Sequence, residues 1–145
     1  DFDVIVDYAH TPNSLENLYQ AFSGRHTICV LSGTGGGRDT WKRPVMGEIA
    51  DRYCSEIILT DEDPYDENPY TIVEEIAAGI RKHRPTILMD RRAAIKEACT
   101  RAKVGDVVLL TGKGTDPYIM GALGSKVPWN EALIAKEEIR KILAR

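Results

Sequence analysis

The chain has 145 residues, 43% hydrophobic and 28% charged, with a net charge of −3. This suits one globular domain able to bury a core without staples. Its basic residues are scattered rather than striped with aromatics, so nucleic acid is not an expected partner. No apolar run is long enough for a membrane span or a signal peptide, so no membrane is expected either.

In chain order, residues 2–6 are a short apolar run ending at Asp7. Thr11 is a helix N-cap, with Pro12 in the first turn, where its missing N–H costs nothing. Leu15, Leu18, Tyr19 and Phe22 then recur at helical spacing. Residues 27–31 read as a second strand, and the glycine-rich segment 33–37 follows it. Pro44 opens a second helix carrying Val45, Ile49 and Tyr53. Residues 57–59 are a third strand with an acidic exit loop, Asp61 to Glu67. Pro69 and a Thr71/Glu74 capping box start a third helix. Residues 86–89 form a fourth strand, and Asp90 caps the helix after it. Residues 107–110 form a fifth strand, and 117–129 read as irregular. Asn130 caps a last helix reaching Arg145. Strand then helix, five times over, predicts an α/β fold with a doubly wound, mostly parallel, Rossmann-like sheet. Asp1 to Val6 already read as a core strand, which predicts a domain excised from a longer protein.

Cys29, Cys54 and Cys99 have no close spacing, and we expect three buried thiols in a reducing, cytoplasmic setting. His10, His26 and His83 fall in unrelated places, and none pairs with a cysteine at ligand spacing, so no metal site is expected from them.

Four segments follow strand ends, where open α/β sheets bind ligands. They are Asp7 to Pro12, Gly33 to Arg43, Asp61 to Pro64 and Gly112 to Asp116. The glycines at 33 and 35–37 allow a tight turn and a close ligand approach. No Gly-Lys-Ser/Thr closes that segment, so it is not a phosphate-binding Walker loop. Its place on the second strand–helix connection, with Thr40 to Arg43 delaying the helix, does not fit a dinucleotide fingerprint. Arg38, just after the glycines, offers a fork for a carboxylate or a phosphate. His10 is either a contact to ribose, base or phosphate or a tie for its own turn. The acidic loop has three readings: a solvated loop, a Mg²⁺ or Ca²⁺ site, or recognition of a cationic group. Its spacing does not match a calcium-binding helix–loop–helix. Asp63 and Pro64, at a strand exit, suit an ammonium group. Lys113 is either a phosphate contact or solvated, and Asp116 adds a carboxylate. An arginine for a carboxylate and carboxylates for an amine together suit a free amino acid. No nucleophile stands beside its own base, so no catalytic residue is expected in the chain.

The order and spacing of these segments resemble the C-terminal domain of the Mur ligases, ATP-dependent enzymes that add amino acids to the peptidoglycan precursor. The resemblance runs from about residue 4 to residue 120. It is strongest to the branch that acts on UDP-N-acetylmuramoyl-L-alanyl-D-glutamate. Asp7-Tyr8-Ala9-His10-Thr11-Pro12 keeps the family motif. Gly36-Gly37-Arg38-Asp39 and Lys42-Arg43-Pro44 nearly keep another, with Gly37 in place of an aspartate. The resemblance implies that Arg38, Asp63, Pro64, Tyr65, Gly114 and Asp116 bind the incoming amino acid. It implies that Tyr8, His10, Lys42 and Arg43 face the nucleotide. Two departures stand out. The family's Asp-Asn-Pro-Arg reads Glu62-Asp63-Pro64-Tyr65 here, and its Gly-Lys-Gly-His-Glu reads Gly112-Lys113-Gly114-Thr115-Asp116. Tyr65 cannot supply a guanidinium fork. This puts diaminopimelate specificity in doubt, and the extra carboxylate favours a side chain ending in an amine, such as lysine or ornithine. The family's UDP-sugar domain and its central ATPase domain, which binds most of the ATP and Mg²⁺, have no counterpart in these residues. The resemblance therefore implies a fragment that ligates nothing alone. In the whole enzyme the nucleotide-peptide carboxylate becomes an acyl phosphate, which the amino acid's amine attacks with loss of phosphate. The UDP-muramoyl-dipeptide would be met through the other domains. Two alternatives stand beside this reading: the terminal domain of a sister ligase of folylpolyglutamate or cyanophycin type, and a stand-alone module that binds an amino acid or a nucleotide.

Overall fold

The computed structural model of the chain describes residues 1–37 and 39–144. Its elements are β1 (Asp3–Asp7), α1 (Pro12–Ala21), β2 (Thr27–Leu31), α2 (Lys42–Tyr53), β3 (Glu56–Leu59) and α3 (Pro69–Ala77). There follow β4 (Thr86–Ile87), α4 (Arg91–Arg101), β5 (Val107–Thr111), β6 (Tyr118–Met120), β7 (Lys126–Pro128) and α5 (Glu131–Leu143). The five main strands form one parallel sheet in the order β1-β5-β2-β3-β4, as the strand–helix alternation predicts.

The alternation of side chains builds two cores from one sheet. Cys29, Leu31, Ile57, Leu59, Val107 and Leu109 face a cluster with Leu15, Tyr19, Met46, Ile72 and Ile76 from α1, α2 and α3. Ile28, Val30, Ile58, Val108 and Leu110 face the opposite cluster, with Ala94, Ile95 and Ala98 of α4 and Ile134 of α5. Strands β2 and β5 are therefore buried along their whole length. This is why they read as unbroken apolar runs.

Three helix starts follow their sequence signals. Thr11 caps α1 in a reciprocal box with Ser14, Asp90 accepts from the Arg92 amide, and Asn130 accepts from the Leu133 amide. Two differ. Helix α2 begins at Lys42, ahead of Pro44, and lacks a side-chain cap. Helix α3 is capped by Asn68, whose side chain accepts from the Tyr70 amide, not by Thr71 and Glu74. Asn68 directly precedes Pro69, and a proline at the first helical position leaves the cap to the residue before it. The segment read as irregular is an antiparallel hairpin, β6–β7. Strands of three residues are too short to show a period, and the turn that joins them carries Leu123 in the left-handed region.

The expectation of three thiols is corrected. Cys29 and Cys54 are joined in a disulfide, with their Cα atoms 6.2 Å apart, and Cys99 is free and buried. The chain leaves β2, runs through α2 and ends that helix back over the strand it left. Two cysteines 25 residues apart are thus brought together. Burial pushes the Cys99 thiol up to about 11. Among the described residues no helix is long and apolar enough to cross a membrane.

Candidate functional site

Beyond the carboxyl ends of β1, β2, β3 and β5 lies a cavity of about 370 Å³, and all four segments singled out in the sequence line it. The first gives Tyr8 and His10. The glycine-rich stretch gives Thr34, Gly35, Asp39, Lys42 and Arg43, the acidic loop Glu62, Asp63 and Tyr65, and the last segment Gly112 and Asp116. Of the expected site residues, Arg38 lies outside the described residues. Pro64 shapes the wall from behind. The Gly35 amide donates to the Asp63 carbonyl at 2.7 Å, and any Cβ on Gly35 would run into the Pro64 carbonyl. Gly114 packs against Tyr8, and both line a second cavity of about 580 Å³.

The charged groups around the cavity are largely matched within the protein. Arg43 is buried, and its guanidinium donates to Glu67, to Glu75 and to the Thr34 carbonyl. These bonds hold the Glu67 carboxyl below its ordinary range, and Glu67 in turn accepts the Gly37 amide at 2.9 Å. Arg43 thus braces the glycine-rich loop. Lys42 lies 3.3 Å from Asp39 and near the Trp41 ring.

Lys113 is not solvated. It is 0% exposed, and its ammonium donates to both Asp63 oxygens, at 2.9 and 3.0 Å, and to the Tyr118 carbonyl at 2.6 Å. Asp63 also accepts the Met120 amide at 2.8 Å. The carboxylate expected to hold a ligand's ammonium therefore already holds one from the protein, and it ties the acidic loop to the β6–β7 hairpin. Tyr65, next to it, has a φ of 52° and donates its amide to the Met120 carbonyl. A bulky residue in the left-handed region is a strained conformation that the surroundings must impose.

Glu62 is the buried carboxylate of the wall. The hydroxyls of Ser32 and Thr34 donate to its two oxygens. Gly112, at a φ of 103°, lies against it, and any Cβ there would overlap a Glu62 oxygen. Asp116 remains half-exposed, 3.7 Å from Lys113. It is also the main reason that the Tyr8 hydroxyl is pushed above its ordinary value, followed by burial and the fields of Glu62 and Asp63. The phenol thus registers a negative cavity. His10 is exposed, with Nδ1 3.1 Å from the Tyr8 carbonyl and its ring beside the Tyr8 ring. Among the described residues no cluster of three or more His, Cys, Asp or Glu is placed to hold a metal ion.

Sequence reasoning missed the ion pair under this wall. Arg91, at the start of α4, and Glu131, at the start of α5, are both buried and joined at 2.9 and 2.6 Å. The only local trace is one basic and one acidic residue directly after helix caps.

Residues 1–114 match the family model described as Mur ligase, glutamate ligase domain. The chain is 41% identical over 140 residues to a UDP-N-acetylmuramoyl-L-alanyl-D-glutamate–2,6-diaminopimelate ligase of Cytophaga hutchinsonii, covering 92% of this chain and 29% of that protein. It is 43% identical over 139 residues to the ligase of the same name from Aquifex aeolicus, covering 94% of this chain and again 29% of the relative. A solved structure of a ligase of that name superposes with a TM-score of 0.88 at 30% identity, over 97% of this chain and 29% of the other. A murein peptide ligase from Psychrobacter arcticus shares the fold, with a TM-score of 0.58 at 17% identity over 77% of this chain and 25% of its own. The chain spans under a third of the length of the relatives it matches, and within that span it belongs to the Mur ligase, glutamate ligase domain family.

Proposed function

We propose that the chain is the amino-acid-receiving domain of an ATP-dependent ligase that joins an amino acid to UDP-N-acetylmuramoyl-L-alanyl-D-glutamate in cytoplasmic peptidoglycan synthesis. The observation that carries the reading is one cavity lined by all four segments at the carboxyl ends of the strands. The names of the relatives from Cytophaga hutchinsonii and Aquifex aeolicus support the reaction, since both are ligases of this nucleotide-peptide.

The expected substrate is a diamino acid. Glu62, Asp63 and Asp116 line the cavity, Asp63 paired with Lys113, and Asp116, burial and the other two carboxylates push the Tyr8 hydroxyl up. A distal ammonium fits there. With a tyrosine at position 65 we favour lysine or ornithine. The relatives' names favour 2,6-diaminopimelate as the second reading. The chain contributes orientation, water exclusion and charge complementarity rather than a nucleophile. ATP with Mg²⁺ supplies the phosphoryl group that activates the acceptor carboxylate. Lys42, His10 and Tyr8, which line the cavity, are this chain's groups placed to meet the nucleotide. Arg43 acts on it through the loop it braces. The metal ligands belong to the rest of the enzyme, as does the site for the UDP-muramoyl-dipeptide.

The test uses the protein encoded by the complete reading frame. It is incubated with UDP-N-acetylmuramoyl-L-alanyl-D-glutamate, ATP, Mg²⁺ and a panel of lysine, ornithine, diaminopimelate and neutral amino acids, and products are read by mass. A tripeptide product with a diamino acid is expected. A folded protein that binds ATP yet makes no product with any of them overturns the proposal.

A further inference from the structure

Arg91 lies outside the cavity, yet both Nη groups of its guanidinium reach the exits of strands that shape it. Nε donates to Glu131 at 2.9 Å, and Nη2 to Glu131 at 2.6 Å and to the Thr111 carbonyl at the end of β5, at 2.8 Å. Nη1 donates to the Asp61 carbonyl at 2.9 Å and to Ser32 Oγ at 3.0 Å. One side chain therefore fixes the exits of β2, β3 and β5 against the start of α5. Ser32 has one hydroxyl proton. With Arg91 donating to its oxygen, that proton is directed to Glu62, at 2.8 Å.

Stability is a poor reason for this arrangement. Arg91 is 2% exposed and Glu131 1%. The desolvation of such a pair offsets most of its attraction, and a cation in the first turn of a helix opposes the helix dipole. What the pair does supply is direction: a charged fork that orients two carbonyls and one hydroxyl.

We propose that Arg91 is a positioning residue which, through Ser32, holds the Glu62 carboxylate in the cavity wall, aimed at the distal ammonium of a bound diamino acid. This rests on the function proposed above. Glu131 and Trp129 fix Arg91 from behind, the indole N–H donating to Glu131 at 2.8 Å.

The test compares Ser32→Ala, Arg91→Lys and the double variant Arg91→Leu/Glu131→Leu with the wild type, in the protein encoded by the complete reading frame. The expected result is a KM for the diamino acid raised about 10-fold or more, with the KM for ATP within about twofold. Ser32→Ala leaves the Arg91–Glu131 pair in place, so it carries the test if the double variant unfolds. A purely structural role would instead lower the thermal midpoint and disturb both KM values together. Crystal structures of the variants give a reading independent of turnover, in which the Glu62 carboxylate leaves its place beside Thr34 and Gly112. An unmoved Glu62 in both single variants, or a wild-type KM in a folded variant, overturns the proposal. A wild type that makes no product refutes the function instead, while the Glu62 position still decides the relay.

Discussion

Lys113→Met tests whether the acidic loop is held by a buried charge pair. The substitution keeps most of the apolar stem and removes the ammonium. Asp63 then loses both contacts to Lys113, and the Met120 amide stays as its donor. Removing one partner of a buried pair costs about 3–5 kcal/mol, because the other charge stays in the interior. The Asp63 side chain is 11% exposed, so some water reaches it and the lower end applies, about 3 kcal/mol. For a domain of this size that is about 10 °C in Tm and a large share of a total of about 5–15 kcal/mol. Asp63→Asn added to Lys113→Met removes the stranded charge but keeps an acceptor for the Met120 amide. The double variant should regain about 2 kcal/mol, the signature of direct coupling. Urea unfolding followed by circular dichroism measures all three proteins. A Lys113→Met variant within about 1 kcal/mol of wild type, or a double variant no better than the single, would show that the pair is solvated and the reasoning wrong.

Two further outcomes follow from other parts of the fold. The Cys29–Cys54 link closes a loop of 25 residues' separation, so reduction should lower stability by about 3 kcal/mol. Denatured but unreduced protein should titrate one thiol, Cys99, and three would refute the pairing. Asp51 draws the turn after α3 onto α2. Burial raises its carboxyl, but hydrogen bonds from the His83 ring and from the amides of Lys82, Arg81 and His83 outweigh this and hold it far below the usual range. A depressed carboxyl stabilises the fold above its unfolded pKa of about 3.9 and loses that contribution as pH falls through the folded value. Asp51→Asn should therefore cost about 1–3 kcal/mol at pH 7, with the gap to wild type narrowing in acid. A gap constant from pH 7 to pH 2 would refute this.

The sheet was legible because its information is local. Unbroken apolar runs announced β2 and β5 as doubly buried, and caps at Thr11, Asp90 and Asn130 announced three helices. The site was legible as an address, since strand ends converge whatever their side chains do. The use of each charge was not. Lys113, between two glycines, has the sequence of a solvated loop. Its burial depends on Asp63, fifty residues earlier. Arg91 and Glu131 are forty residues apart, and each alone looks like a helix-surface residue. The hairpin has too few residues per strand to show alternation. Only the topology decides which distant groups meet.

The pairing changes how specificity is read from this chain. In the sequence, Asp63 is the added carboxylate that draws an amine. In the fold its charge is balanced by Lys113, and the ammonium of a ligand would have to compete with one already in place. The other carboxylates that face the cavity are Glu62, held by two hydroxyls, and Asp116, half-exposed and 3.7 Å from the same Lys113. A ligand with a distal ammonium gains from both. A ligand that also carries a distal carboxylate needs a cation, and Lys42 and Arg43 on the described wall already face Asp39, Glu67 and Glu75. Under the proposed function, the carboxylates of the described wall suit a ligand with a distal ammonium.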